Sequence, residues 1–102
     1  MIGNPEQTPE NRAWVLYILK CLQSNSGKFL FYTGITNCWE KRYLKHKTGR
    51  GAKFTKCNPV VEGHPILMNL THSEALKLER EYKKLPSAKK EELLKISLKN
   101  SS

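Results

Sequence analysis

The chain has 102 residues, with 18 Lys and Arg against 9 acidic residues, a formal net charge of +9 at pH 7, and 38% hydrophobic and 26% charged residues. That length allows one domain with a modest core and leaves little room for a second site, and the apolar and charged balance is that of a folded rather than a disordered protein. The longest apolar run, Trp14 to Leu19, is too short for a membrane helix of about 20 residues, and Met1-Ile2-Gly3-Asn4-Pro5-Glu6 does not read as a signal peptide.

Residues 1–13 carry Pro5 and Pro9 among polar side chains and read as a disordered tail. Trp14-Val-Leu-Tyr-Ile-Leu19 is aromatic and β-branched and predicts a buried strand. Gln23-Ser-Asn-Ser-Gly27 is turn chemistry, and Phe29-Leu-Phe-Tyr-Thr33, ended by Gly34, predicts a second strand antiparallel to the first. Asn37 with Glu40 predicts a capped helix start, with the helix running to about Lys47 and stopped by Thr48-Gly49-Arg50-Gly51. Residues 51–63 read as a basic loop with Pro59 and Gly63, and Pro65 to Leu70 as a third strand. Ser73 is expected to open a helix from Glu74 to about Leu85, and Pro86-Ser87 another that ends near Leu98. The order β-β-α-β-α-α predicts a mixed α/β chain of the α+β kind: a small three-stranded antiparallel sheet flanked by helices. One domain over residues 14–98 and a frayed end at residues 99–102 complete the expected organisation.

The cysteines, Cys21, Cys38 and Cys57, are odd in number and form no CxxC, which argues against a disulfide framework or a zinc ribbon and makes a reduced cytoplasm the default setting. There is no aspartate, so any carboxylate ligand for a metal must be a glutamate. Lys41, Arg42, Lys45, Lys47, Arg50, Lys53 and Lys56 form a run without an acidic residue. Such an unbalanced cluster attracts polyanions, nucleic acid above all, although a solubilising surface would have the same composition. The Lys83–Lys99 group is partly offset by Glu91 and Glu92 and reads as a solvated helix exterior.

Three features are less ordinary. On the helix after Ser73, Ala75, Leu76, Leu78, Tyr82 and Leu85 mark an apolar arc, and Glu79 falls inside it. An inward carboxylate is costly unless paired or bound to a cation; a salt bridge to Arg42 or a lysine is one account, a metal another. Arg42 and His46 lie one turn apart beside the apolar side marked by Trp39, Tyr43 and Leu44. This pair can bind a phosphate and handle a proton, or simply face solvent. Tyr17 and Tyr32 fall near the same level of the hairpin.

This combination resembles the GIY-YIG nuclease family, over about residues 14–95. The first motif corresponds to Val15-Leu16-Tyr17 and the second to Tyr32-Thr33-Gly34, followed by Arg42, His46 and, in Ala-Leu-Lys-Leu-Glu-Arg-Glu-Tyr, Glu79. The stretch His46-Lys47-Thr48-Gly49-Arg50-Gly51-Ala52-Lys53 is similar to one in the short stand-alone bacterial members. The resemblance implies a metal-dependent endonuclease acting on phosphodiester bonds in DNA, with a role in repair or recombination; RNA is the less favoured substrate. It implies Tyr17, Tyr32, Arg42, His46 and Glu79 as catalytic residues, Glu79 as the ligand of Mg²⁺ or Mn²⁺, and Tyr17 as the favoured general base. Gly34, Lys41, Lys45, Arg50, Lys53 and Lys56 would contact the nucleic acid backbone. An asparagine that larger members carry after the glutamate has no counterpart here. With no room for a targeting domain, weak, structure-tolerant binding and slow nicking are expected unless a protein partner supplies the target. The expected setting is the cytoplasm, in association with the nucleoid, as a monomer. The alternatives are a nucleic-acid-binding module without catalysis and a small interaction protein with a basic surface.

Overall fold

The computed structural model describes residues 11–101. The expected tail at residues 1–13 therefore lies largely outside the described residues. Three strands form one sheet: β1 (Trp14–Leu22), β2 (Phe29–Thr36) and β3 (Val60–Leu70). Four helices complete the chain: α1 (Trp39–Lys47), α2 (Lys53–Cys57), α3 (His72–Lys83) and α4 (Ser87–Ser101). The strand order is β2-β1-β3, antiparallel throughout, so β1 is central and paired on both sides. The expected sheet and the order β-β-α-β-α-α are observed, with α2 as an additional short helix. No helix among the described residues is long and apolar enough to cross a membrane.

Alternation along β1 distributes its side chains between two layers. Tyr17, Leu19 and Cys21 join Val60 in a buried cluster, against which Tyr32, Trp39, Tyr43 and Phe54 pack. Two of these come from α1 and one from α2, so those helices cover this face. Leu16, Ile18 and Lys20 alternate onto the other face, where Lys20 Nζ meets Glu91 Oε2 of α4 at 2.7 Å. Ala75 of α3 and Leu94 of α4 are the buried apolar residues of that second layer.

Several boundaries differ from the sequence reading. The first helix begins after Cys38, which makes no side-chain cap, so the expected Asn37–Glu40 capping box is not formed. Instead Thr36 Oγ1 accepts the Cys38 N–H at 3.0 Å and shapes the entry. The capping box belongs to α3: Thr71 Oγ1 accepts from Glu74 N at 3.1 Å, and Glu74 Oε1 accepts from Thr71 N at 2.9 Å. Ser73 lacks a glutamate three residues on and cannot make it. The third strand starts at Val60, five residues before its expected start. Gly63 sits inside it because an added Cβ would run into Leu19 and Tyr43, so the glycine marks close packing by α1 rather than a loop. Pro65 is tolerated because β3 is an edge strand. The last helix continues past Leu98 to Ser101.

Candidate active site

Tyr17 is 1% exposed in the middle of the central strand. Its register partner on β2 is Gly34, and an added Cβ there would collide with the Tyr17 phenol. The glycine of the second motif therefore makes room for the tyrosine of the first. Tyr32 pairs with Leu19, which places it diagonally from Tyr17 on the same face, with ring centroids 6.3 Å apart. Tyr32 is half-buried, so of the two it is the one in reach of solvent.

α1 brings Arg42 and His46 to this face. His46 is 1% exposed, and its Nε2 lies 2.9 Å from the Tyr17 hydroxyl. Its Nδ1 lies 2.8 Å from Thr55 Oγ1 on α2. Gly51 permits this approach, since a Cβ there would collide with His46 Nδ1. Half-buried Arg42 lies near enough to the phenols of Tyr17 and Tyr32 for their charges to interact.

Burial pushes the Tyr17 phenol up to about 12, against the opposing pull of Arg42. Burial likewise pushes His46 down to about 4, and the Arg42 charge adds to the effect. Tyr17 and His46 are therefore a neutral pair throughout the physiological range. Contact with Tyr17 in turn raises the Arg42 pKa, so the guanidinium stays charged.

Glu79 comes from α3, in the arc formed by buried Ala75 and half-buried Leu78 and Tyr82; Leu76, expected in the same arc, is 45% exposed. The Glu79 carboxylate is near enough to raise the Tyr17 pKa. Its ion-pair partner is Lys83 rather than Arg42, at 3.5 Å, with side chains 21% and 57% exposed respectively. So exposed a lysine can swing away and leave both carboxylate oxygens available.

A basic surface adjoins the site. Lys41, Arg42 and Lys45 line one shallow recess with Thr36, Asn37 and Cys38. Lys41, Lys45 and Arg50 line the next with Leu44 and Thr48, of about 400 Å³. Lys53 and Lys56 are exposed on α2 and line neither recess.

The model of the GIY-YIG catalytic domain matches residues 13–92. A UPF0213 protein of Cupriavidus necator is 40% identical over 78 residues, covering 76% of this chain and 79% of its own length. A UPF0213 protein of Fusobacterium nucleatum is 35% identical over 82 residues, covering 80% and 77%. One of Staphylococcus saprophyticus is 40% identical over 79 residues, covering 78% and 90%.

The chain belongs to the GIY-YIG family.

No solved structure matches it. Membership places the chain in a nuclease superfamily, while the names of these relatives state no activity. The two GIY-YIG motifs face each other across the β1–β2 pair. Thr33, in the middle of the second motif, has its hydroxyl buried without a hydrogen-bond partner on the far face of the sheet. Nuclease domains of this family are generally dependent on a divalent metal. Among the described residues no group of three or more His, Cys, Asp or Glu comes together as a metal site. The residues present nonetheless fit a hard cation, because Mg²⁺ keeps several waters and binds through one or two carboxylates plus substrate phosphates. Glu79 would be such a carboxylate. Tyr17, Tyr32 and His46 come together with Arg42 beside them, the Glu79 charge reaches Tyr17, and His46 is buried behind Tyr17 instead of lining the edge of the core with Arg42. Thr55 was hidden from the sequence reading because its helix falls in the expected basic loop. Its spacing to Ala52, with which it makes an i−3 hydrogen bond, is the local signal that could have exposed it.

Proposed function

We propose that this chain is a metal-dependent endonuclease that hydrolyses phosphodiester bonds in DNA. The observation that carries the reading is a single phenol oxygen, that of Tyr17, hydrogen-bonded to a neutral imidazole and lying within the fields of the Arg42 guanidinium and the Glu79 carboxylate. A nucleic-acid-binding module needs none of these three around one buried oxygen.

The phosphate would lie over Arg42, whose planar donors stabilise the negative charge that builds on the phosphoryl oxygens. Tyr32, half-exposed, would hold the attacking water beside it. As the water attacks phosphorus, its proton passes to the Tyr17 oxygen while the phenol proton moves to His46 Nε2, leaving an imidazolium that later returns the proton to solvent. The burial of Tyr17 keeps bulk solvent away from that step. Glu79 would hold Mg²⁺ or Mn²⁺, which when bound stabilises the leaving oxygen. Lys41, Lys45 and Arg50 would carry the strand away from Arg42 along the outer side of α1, with Lys53 and Lys56 beside them, gripping backbone rather than reading bases. On this reading the substrate would be a branched or damaged duplex in the nucleoid, in repair or recombination, with a protein partner supplying the target.

The test is nicking of supercoiled plasmid at low salt with Mg²⁺ or Mn²⁺. The expected result is that Arg42→Ala and Glu79→Ala still shift DNA on a gel but nick at least about 10²-fold more slowly. If wild type binds DNA and nicks nothing with either metal, the chain is a binding module.

A further inference from the structure

We propose that Thr55 is a positioning residue that fixes the direction of a buried hydrogen-bond chain, holding His46 with its proton on Nδ1 so that Nε2 faces Tyr17 as an acceptor. The ring protons follow from the donors and acceptors around them. Arg42, whose charge acts on the Tyr17 phenol, has only donors to offer and cannot take its proton. The Tyr17 proton must then go elsewhere, and among the described residues the partner in range is His46 Nε2 at 2.9 Å. If that nitrogen carried the ring proton, a buried phenol O–H would have no acceptor, at a cost of about 1–3 kcal/mol. Nε2 is therefore bare and Nδ1 carries the proton.

The Nδ1 proton is donated to Thr55 Oγ1 at 2.8 Å. Thr55 can receive it because its own proton goes to the Ala52 carbonyl at 3.1 Å. Its second lone pair takes the Ala52 N–H at 3.3 Å. The single donor and both acceptor sites of the hydroxyl are thus in use, and Thr55, like His46, is buried, at 2% exposed. The chain runs one way, from Tyr17 through His46 and Thr55 to the backbone of α2. Reversing any link strands a buried proton or opposes two donors.

The consequence for nicking rests on the nuclease reading. With Nε2 bare, the phenol proton has a site to enter when Tyr17 takes a proton from water. With the other tautomer it has none. Thr55→Val keeps the shape of the side chain and removes the hydroxyl, which frees the ring to take either tautomer. Thr55→Ser keeps the hydroxyl.

The experiment is a long-range ¹H–¹⁵N correlation spectrum of the full chain labelled in histidine, with His46 assigned by comparison with His46→Gln. Nicking and gel shift are measured on the same samples. The expected result is a protonated Nδ1 in wild type and in Thr55→Ser. Thr55→Val should show a mixed or Nε2-protonated ring and nick about 10- to 100-fold more slowly with an unchanged gel shift. A proton on Nε2 in wild type overturns the proposal, as does an unchanged tautomer in Thr55→Val. These spectra do not require nicking, so an inactive wild type with the Nδ1 tautomer would sink the nuclease reading and leave the hydrogen-bond chain standing.

Discussion

On one face of β1, Leu16 and Ile18 are completely buried and meet the layer of α3 and α4. On the other, Tyr17 is buried just as deeply, yet it carries a hydroxyl tied to a histidine and flanked by an arginine. Adjacent residues of one central strand thus face two kinds of interior. The first is apolar apart from the unpartnered Thr33 hydroxyl and stabilises by removing carbon from water. The second encloses polar groups, which is tolerable only because each has a partner. Stability should therefore track the α3–α4 face, and chemistry the α1–α2 face together with Glu79 of α3.

The strongest way to break this contrast is to damage the apolar side. Ile18→Ala should cost about 2–5 kcal/mol of unfolding free energy, measured by urea denaturation, because the central strand cannot collapse onto the cavity. The folded fraction should nick at the wild-type rate. If nicking per folded molecule fell along with stability, the two faces would not be separable.

A smaller effect sharpens the contrast from the polar side. His46 titrates normally near 6.5 and is lowered to about 4 in the fold. Between those values the unfolded chain takes up a proton that the native state refuses. The stability His46 contributes is therefore complete above about pH 6.5 and lost as pH falls towards 4. His46→Gln should flatten the dependence of unfolding free energy on pH in that window. Glu74 and Glu91, whose pKa values are lowered by partners, act below the ordinary carboxylate value and leave the window to His46. An unchanged slope in His46→Gln would mean that the histidine is solvated in the native state.

The same contrast explains what could be read from the residues. Strand alternation and the helical arc on α3 are periodic, so the sheet, its order and the inward position of Glu79 were legible. The ends were not. Val60 to His64 belongs to β3 although Pro59 and Gly63 resemble loop chemistry, because the glycine there answers to Tyr43 of α1, far away in sequence. Thr71 and Ser73 are both good helix caps, and only the reciprocal bond with Glu74 separates them. At the site, Tyr17, Tyr32, Arg42, His46 and Glu79 could be named from their spacing in the two motifs and beyond. Thr55 could not, since its role depends on a five-residue helix too short to show a period. The burial of His46 escaped for a related reason: it is covered from α2 and from the Gly51 turn, not from its own helix.

The most direct test of the account is Tyr17→Phe, which removes one oxygen and keeps the ring. It should unfold within about 3 kcal/mol of wild type, since His46 Nε2 loses its buried partner, and bind plasmid with the same dependence on salt. With Mg²⁺ or Mn²⁺ its nicking rate should fall by about 10²- to 10⁴-fold. Nicking by Tyr17→Phe at the wild-type rate would contradict the account, since the chemistry would then have no need of the oxygen on which Arg42 and His46 converge.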